Sequence, residues 1–395
     1  MSRLKKLSQI DNFNVVYSDQ KLPTEVLKTI FLAGPTPRDN SVTSWRNEAV
    51  EIFKKNNFKG TLLIPEPSTG KFEHDYTDQV DWELEAMQMA DVILFWIPRE
   101  LDSMPAFTTN VEFGFWVNSG KIVFGFPKEA EKMRYLEYLA IDNDININDN
   151  LESTIKESIE KFGDGVVRTR GECKVPLFIW NLSSFQDWFK AQKSAGNRLD
   201  DAKLLWNFRM PNNKDIVFLW VLHANVYVAS ENRNKTNEFV ISRTSTSSIV
   251  MYKKEEELLN SKVILVKEFR TPASTKDGFI WENPGGSSLK DNEDKLDVAQ
   301  HEIEEEVGFN VDKDRIKYVQ QRQSSGTILA NKVSLFSVEL TDEEIKWFED
   351  QKGKTHGVTE DTEITYTEVK TLHEILDEEL VDWSNIGMIL KAIII

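Results

Sequence analysis

Residues 285–309 read GGSSLKDNEDKLDVAQHEIEEEVGF, and this stretch decides how the second half of the chain is read. Inside it, Glu302, Glu305 and Glu306 stand three and four residues apart. A helix brings such positions onto one face. Like charges that close repel, and a helix gains from them only when a cation sits between them. Hard carboxylate oxygens of this kind suit Mg²⁺ or Mn²⁺. A solvated acidic helix face is the plain alternative in an acidic chain.

The flanks fit a fuller pattern, Gly-x5-Glu-x7-Arg-Glu-U-x-Glu-Glu-x-Gly-U, where U is a bulky aliphatic residue. Glu293 stands at the first Glu, Glu302 to Glu306 supply the acidic helix, and Gly308-Phe309 close it. The stretch therefore resembles the Nudix box. Two positions depart from it: His301 occupies the Arg position, and Gly286 lies one residue farther from Glu293 than the pattern has it. The resemblance implies that Glu302, Glu305 and Glu306 hold the metal and that Glu305 and Glu306 serve catalysis. In that family the Arg orients the glutamates, so His301 implies weaker or pH-dependent metal binding.

The lead-in extends the likeness. Val263 to Val266 reads as a buried strand and is followed by Lys267-Glu268-Phe269-Arg270-Thr271-Pro272, then by Trp281-Glu282-Asn283-Pro284-Gly285-Gly286. This is similar to the Nudix branch that hydrolyses ADP-ribose and nucleoside diphosphate sugars. The likeness implies that Arg270 contacts phosphate, that Glu282 assists the metal, and that Glu360 or Glu363 is a weaker candidate for the base. By residue type alone, Arg270 also fits an ordinary strand-end ion pair.

A chain of 395 residues suggests two domains, and 40% hydrophobic with 29% charged residues describes a soluble globular protein. A net charge of −17 argues against polymeric nucleic acid, which normally needs a basic stripe. It leaves room for nucleotides, whose phosphates a metal and a few arginines can hold. The single cysteine, Cys173, excludes an intramolecular disulfide and reads as a small buried hydrophobe in a reducing cytoplasm. No targeting signal and no apolar run of membrane-spanning length is seen, and a homo-oligomer is compatible with the composition.

The first half alternates strands and helices. Strands are expected at residues 29–33, 60–65, 91–97 and 121–126, with helices at 44–55, 81–90 and 110–119. Near-continuous apolar strands separated by helices imply a doubly wound parallel sheet of flavodoxin-like type, covered on both faces. Ligands bind such sheets at the strands' carboxyl ends. Residues 175–180 read as a further strand and 183–192 as a closing helix. The polar SAGNRLDD, 194–201, reads as a linker, dividing the chain into domains 1–195 and 196–395. The second is expected to be an α/β/α sandwich on a mixed sheet, ending in helices at 342–350, 371–378 and 383–395.

FLAGPTPR at 31–38, Trp82-Glu83 before ADVILFWIP, and Glu112-Phe113-Gly114 followed by Ser119-Gly120-Lys121 are the chemical landmarks of the first half. Together they resemble the nucleoside 2-deoxyribosyltransferase-like family over roughly residues 27–190. The resemblance implies cleavage of an N-glycosidic bond with Glu112 as nucleophile and Glu83 managing the proton at the base. Gly34, Arg38 and Asp91 are the accompanying candidates for substrate contact, Arg38 for a phosphate. An Asp usual in the loop before the nucleophile has no counterpart, since Ala106 falls there. Trp45, Trp96 and Trp116 fit the core as well as base stacking.

The expectation is thus a cytoplasmic two-domain enzyme of nucleotide metabolism with a small-molecule substrate and Mg²⁺ or Mn²⁺ in its second domain. A nucleotide-sensing protein whose Nudix fold binds without cutting is the alternative.

Overall fold

A computed structural model describes residues 13–37, 42–70, 75–211, 213–287, 294–357 and 364–394. The chain falls into two compact units, Met1–Val240 and Ile241–Ile395.

The first unit is built on a six-stranded sheet of β1 (Phe13–Tyr17), β2 (Thr29–Ala33), β3 (Gly60–Ile64), β4 (Val92–Trp96), β5 (Ile122–Gly125) and β6 (Ile147–Asn148). All neighbours pair in parallel, in the order β1-β3-β2-β4-β5-β6. From β2 onward this is the doubly wound order of flavodoxin-type sheets, with β1 added at one edge. Every residue of β2, β3, β4 and β5 is buried, which is why each reads as an unbroken apolar run.

Successive strand residues feed opposite faces. Ile30, Leu32, Leu94 and Val123 pack on α1 (Trp45–Lys55) and α5 (Leu151–Glu160). Phe31, Phe95 and Phe124 pack on α2 (Tyr76–Met89), α3 (Phe107–Trp116) and α4 (Arg134–Asp142). Ser44 caps α1, its hydroxyl accepting from the Arg46 amide, and Asp75 caps α2 in the same way through Thr77.

Two local expectations change. Residues 177–180 form a helical turn behind Pro176 rather than a strand. The stretch 194–201 is not a free linker. It ends helix α6 (Ser183–Ser194) and then enters β7 (Arg198–Met210), the first strand of a three-stranded sheet with β8 (Asn213–Val228) and β9 (Arg233–Arg243). Trp220 of β8 is fully buried, its ring 5.8 Å from that of Phe185 on α6, and its indole N–H donates to Ser184 at 3.0 Å. This packing joins the sheet to the first unit, so the compact unit runs to Val240 rather than stopping near residue 195.

The second unit has a seven-stranded mixed sheet. In chain order its strands are β10 (Thr246–Lys253), β11 (Lys262–Phe269), β12 (Phe279–Glu282), β13 (Lys317–Arg322), β14 (Val333–Glu339), β15 (Thr355–His356) and β16 (Thr365–Thr371). One face carries α7 (Lys295–Val307) and α8 (Asp342–Asp350) through Ile303, Val307, Ile345 and Phe348. The other carries α9 (Leu372–Asp377) and α10 (Trp383–Ile394) through Leu372, Ile375, Ile389 and Ile393. Among the described residues, no helix is long and apolar enough to cross a membrane.

Candidate active site

A cavity of about 520 Å³ opens at the carboxyl edge of the parallel sheet, where β2, β3 and β4 deliver their loops. Gly34 follows β2 and has φ +154°; a Cβ there would stand 2.2 Å from the Trp96 carbonyl oxygen. Only glycine lets these two strand ends come that close. Gly34, Thr36, Tyr76, Ala106 and Phe107 line the space, and both Glu83 and Glu112 are in its wall.

Glu112 projects from α3. That helix starts at Phe107, so Glu112 falls in its second turn and not at the helix start expected from the sequence. A helix-dipole role, confined to the first turn, does not account for it. Ala106 enters α3 in the left-handed region (φ 58°), a conformation disfavoured for residues with a Cβ. Burial, followed by the neighbouring Glu83 charge, pushes the Glu112 carboxyl up to about 7, against a smaller opposing effect of Arg46. Glu83 is raised as well, chiefly by burial, although Gln79 donates to it at 2.7 Å. Two raised carboxyls in one cavity are suited to dividing nucleophile and acid roles between them.

Arg46 is the functional residue that the sequence reading missed. It is 1% exposed, lies 2.6 Å from Glu66, and donates to the carbonyls of Leu32 and Gly34. Its spacing of three and seven from the buried Ala49 and Phe53 was the available signal: that spacing puts it on the inward face of α1. Its guanidinium locks the Gly34–Thr36 turn and sets the charge around both glutamates.

Other candidates settle differently. Arg38 lies outside the described residues. Asp91 is corrected from a substrate contact to a framework residue: it stands just before β4, at the amino end of the strand and so at the sheet edge away from the cavity. Fully buried, it is paired with the equally buried Arg168 at 2.6 Å and accepts from the Thr29 and Leu177 amides. Trp45, Trp96 and Trp116 are all buried core residues.

Residues 27–130 match the family described as nucleoside 2-deoxyribosyltransferase like. The chain thus carries a nucleoside 2-deoxyribosyltransferase-like domain, and Gly34, Arg46, Glu83 and Glu112 all fall within the matched segment. A comparison with curated proteins found no match.

Beyond this deoxyribosyltransferase-like domain, the second unit gathers charge around the turn that precedes α7. Glu306 accepts from the Gly285 amide at 2.8 Å, and a Cβ on Gly286 would stand 2.2 Å from a Glu302 carboxylate oxygen. Glu306 thus holds the turn by a hydrogen bond, and Glu302, one helical turn away, lies close against its next residue. Burial drives the Glu306 carboxyl well above the ordinary carboxylate range; the Gly285 amide opposes this, and the charges of Glu302 and Glu282 add to it. Arg270 pairs with Glu282 and with Glu268, each at 2.9 Å. Glu305 pairs with His301 at 3.1 Å. Among the described residues, no group of three or more His, Cys, Asp or Glu side chains is disposed to hold a metal ion. Glu293, Glu360 and Glu363 lie outside the described residues.

Proposed function

We propose that the first domain breaks or exchanges the N-glycosidic bond of a nucleoside or nucleotide. The observation that carries this reading is the pair Glu112 and Glu83, both raised, in one cavity at the carboxyl edge of the sheet. Ionised Glu112 attacks the anomeric carbon while the bond to the base nitrogen breaks. The electron pair goes to the base, which takes a proton from Glu83. Water or a second base then opens the glycosyl ester, and Glu83 recovers the proton. Each step needs one carboxyl charged and one neutral, and burial beside a like charge keeps one proton on the pair; because the Glu83 charge helps to raise Glu112, that proton rests on Glu112 and must pass to Glu83 before the attack.

The test is release of free base from a panel of nucleosides, deoxynucleotides and NAD. Glu112→Gln should abolish it, and a 2-fluoro-substituted nucleoside should label Glu112. Labelling of Glu83 instead would move the nucleophile. Absence of base release across the whole panel would make the domain a binding module.

For the second unit we propose a Mg²⁺-dependent Nudix hydrolase of a nucleoside diphosphate compound such as ADP-ribose. The supporting observation is the hydrogen bond from the Gly285 amide to Glu306, with Glu302 close against Gly286 and Glu282 nearby. Carboxylates are the donors a hard divalent cation takes, and one bound here would offset the burial and the like charges that raise Glu306, although no three of them converge on one point among the described residues. When bound, such a cation supplies charge neutralisation and an activated water at the diphosphate. Arg270, paired with Glu282 and Glu268, would be the residue to meet phosphate. Fusion of the two activities suits a sequential route in which one domain's product feeds the other. Glu305→Gln or Glu306→Gln should lower diphosphate hydrolysis by orders of magnitude in a folded protein. If wild type shows no metal-dependent turnover, the unit is a nucleotide sensor.

A further inference from the structure

The second unit contains a cavity of its own, of about 290 Å³. β13 supplies Gln320 and Arg322, β14 supplies Val333 and Leu335, and the first turns of α10 supply Trp383 and Gly387. It lies on the sheet face covered by α9 and α10, opposite the face that carries α7. It sits where β13 ends and β14 begins.

Three features of this cavity point to one ligand chemistry. Trp383 is 88% exposed, more than any other large hydrophobic side chain among the described residues. An indole at the rim of a hole is a stacking platform, and no aromatic ring among the described residues stacks on this one. Arg322 is the one charged side chain among the lining residues, and no ion pair to it is found among the described residues. A lone cation beside a cavity is conspicuous in a chain of net charge −17. Finally, a Cβ added to Gly387 would meet nothing within 4 Å, so the helix leaves the cavity open at that position. An aliphatic anion would use Arg322 and ignore the indole; a neutral ring would do the reverse. A planar base carrying phosphate uses both.

The same helix turn leads to the acidic centre. Asn283 donates to Asn385 at 2.9 Å, both being buried, and Asn283 directly precedes the Pro284–Gly286 segment that Glu306 holds and Glu302 lies against. One hydrogen-bonded link therefore ties the first turns of α10 to the acidic turn.

We propose that this cavity binds a nucleotide, with the base stacked on Trp383 and the phosphate met by Arg322, and that it is the base subsite of the diphosphate site. The subsite role rests on the hydrolase reading; the nucleotide binding does not. AMP titrated calorimetrically into the full chain without metal tests the binding. The cavity of the first domain can also take AMP, so the comparison is with Gly387→Leu, which fills the second cavity and leaves the first unit untouched. Trp383→Ala removes the platform.

Both substitutions should weaken AMP binding at one site by about tenfold or more, the usual effect of deleting a stacking partner. Arg322→Gln should weaken AMP and leave adenosine unchanged. AMP isotherms identical in wild type, Gly387→Leu and Trp383→Ala would overturn the proposal. Equal weakening of AMP and ribose 5-phosphate by Trp383→Ala would overturn the base assignment. If no diphosphate is hydrolysed but the Gly387-sensitive AMP site persists, the hydrolase reading fails and nucleotide binding stands. If Gly387→Leu hydrolyses diphosphates with unchanged KM, the cavity is not the base subsite.

Discussion

The almost fully enclosed Arg46 and the partly buried Glu66 are joined at 2.6 Å, and this pair tunes the cavity without either residue having to touch substrate. The Arg46 charge pulls Glu112 and Glu83 down while their burial pushes them up. Glu66 absorbs part of that positive charge. Glu66→Gln should therefore leave more of it for the two cavity carboxyls and move Glu112 downward. The acidic limb of the base-release profile should shift to lower pH with it. An unshifted limb would mean that the Arg46 charge does not reach Glu112.

Glu112 itself links both activity and stability to pH. Its folded carboxyl holds a proton up to about pH 7, whereas the unfolded chain loses that proton near 4.5. Between these values the folded state binds more protons, so stability falls as pH rises and the penalty is complete above pH 7. Glu112→Gln should be more stable than wild type above pH 7, by roughly 1–3 kcal/mol, and equal to it below about pH 4.5. Base release by wild type should rise as the first proton leaves the Glu112–Glu83 pair and fall above pH 7 as the second leaves, since the reaction needs one carboxyl charged and the other protonated. Urea denaturation at both pH extremes measures the first effect and a pH–rate profile the second.

Asp91→Ala is expected to cost about 3–5 kcal/mol, because it strands the buried Arg168 without its counter-charge. Equilibrium unfolding should show that loss directly. A substrate-contact role predicts the reverse pattern, a raised KM with stability intact.

What could be read ahead of the structure follows from which physical signals are local. β2 and β4 were legible because strands buried on both faces must be apolar throughout. Residues 177–180 were not, since a short buried apolar run fits a helical turn or a strand equally well, and Pro176 decided for the helix. The start of β7, RLDD at 198–201, carries charge on a half-exposed sheet and reads as the end of a linker until Trp220 of the neighbouring strand is seen against α6. Glu83 and Glu112 were legible as a constellation. Arg46 required knowing that a helix face buried against a sheet also meets the open edge of that sheet, and Asp91 that a residue preceding a strand faces the wrong end for ligand.

His301 offers the sharpest test of the second unit. Its ring is 75% exposed and pairs with Glu305 at 3.1 Å, four residues along the same helix. That pairing is charge-assisted only while the imidazole is protonated. If Glu305 needs a cationic partner to hold its orientation, diphosphate hydrolysis by wild type should fall relative to His301→Arg as pH rises. The arginine variant should keep a flat ratio of rate to bound metal, since its guanidinium stays charged throughout. Stability should not move, because an exposed pair on one helix face contributes only a few tenths of a kcal/mol. Matching profiles for the two proteins would leave His301 a bystander, with Glu305 oriented through its own backbone, whose carbonyl accepts from the Gly357 amide at 3.2 Å.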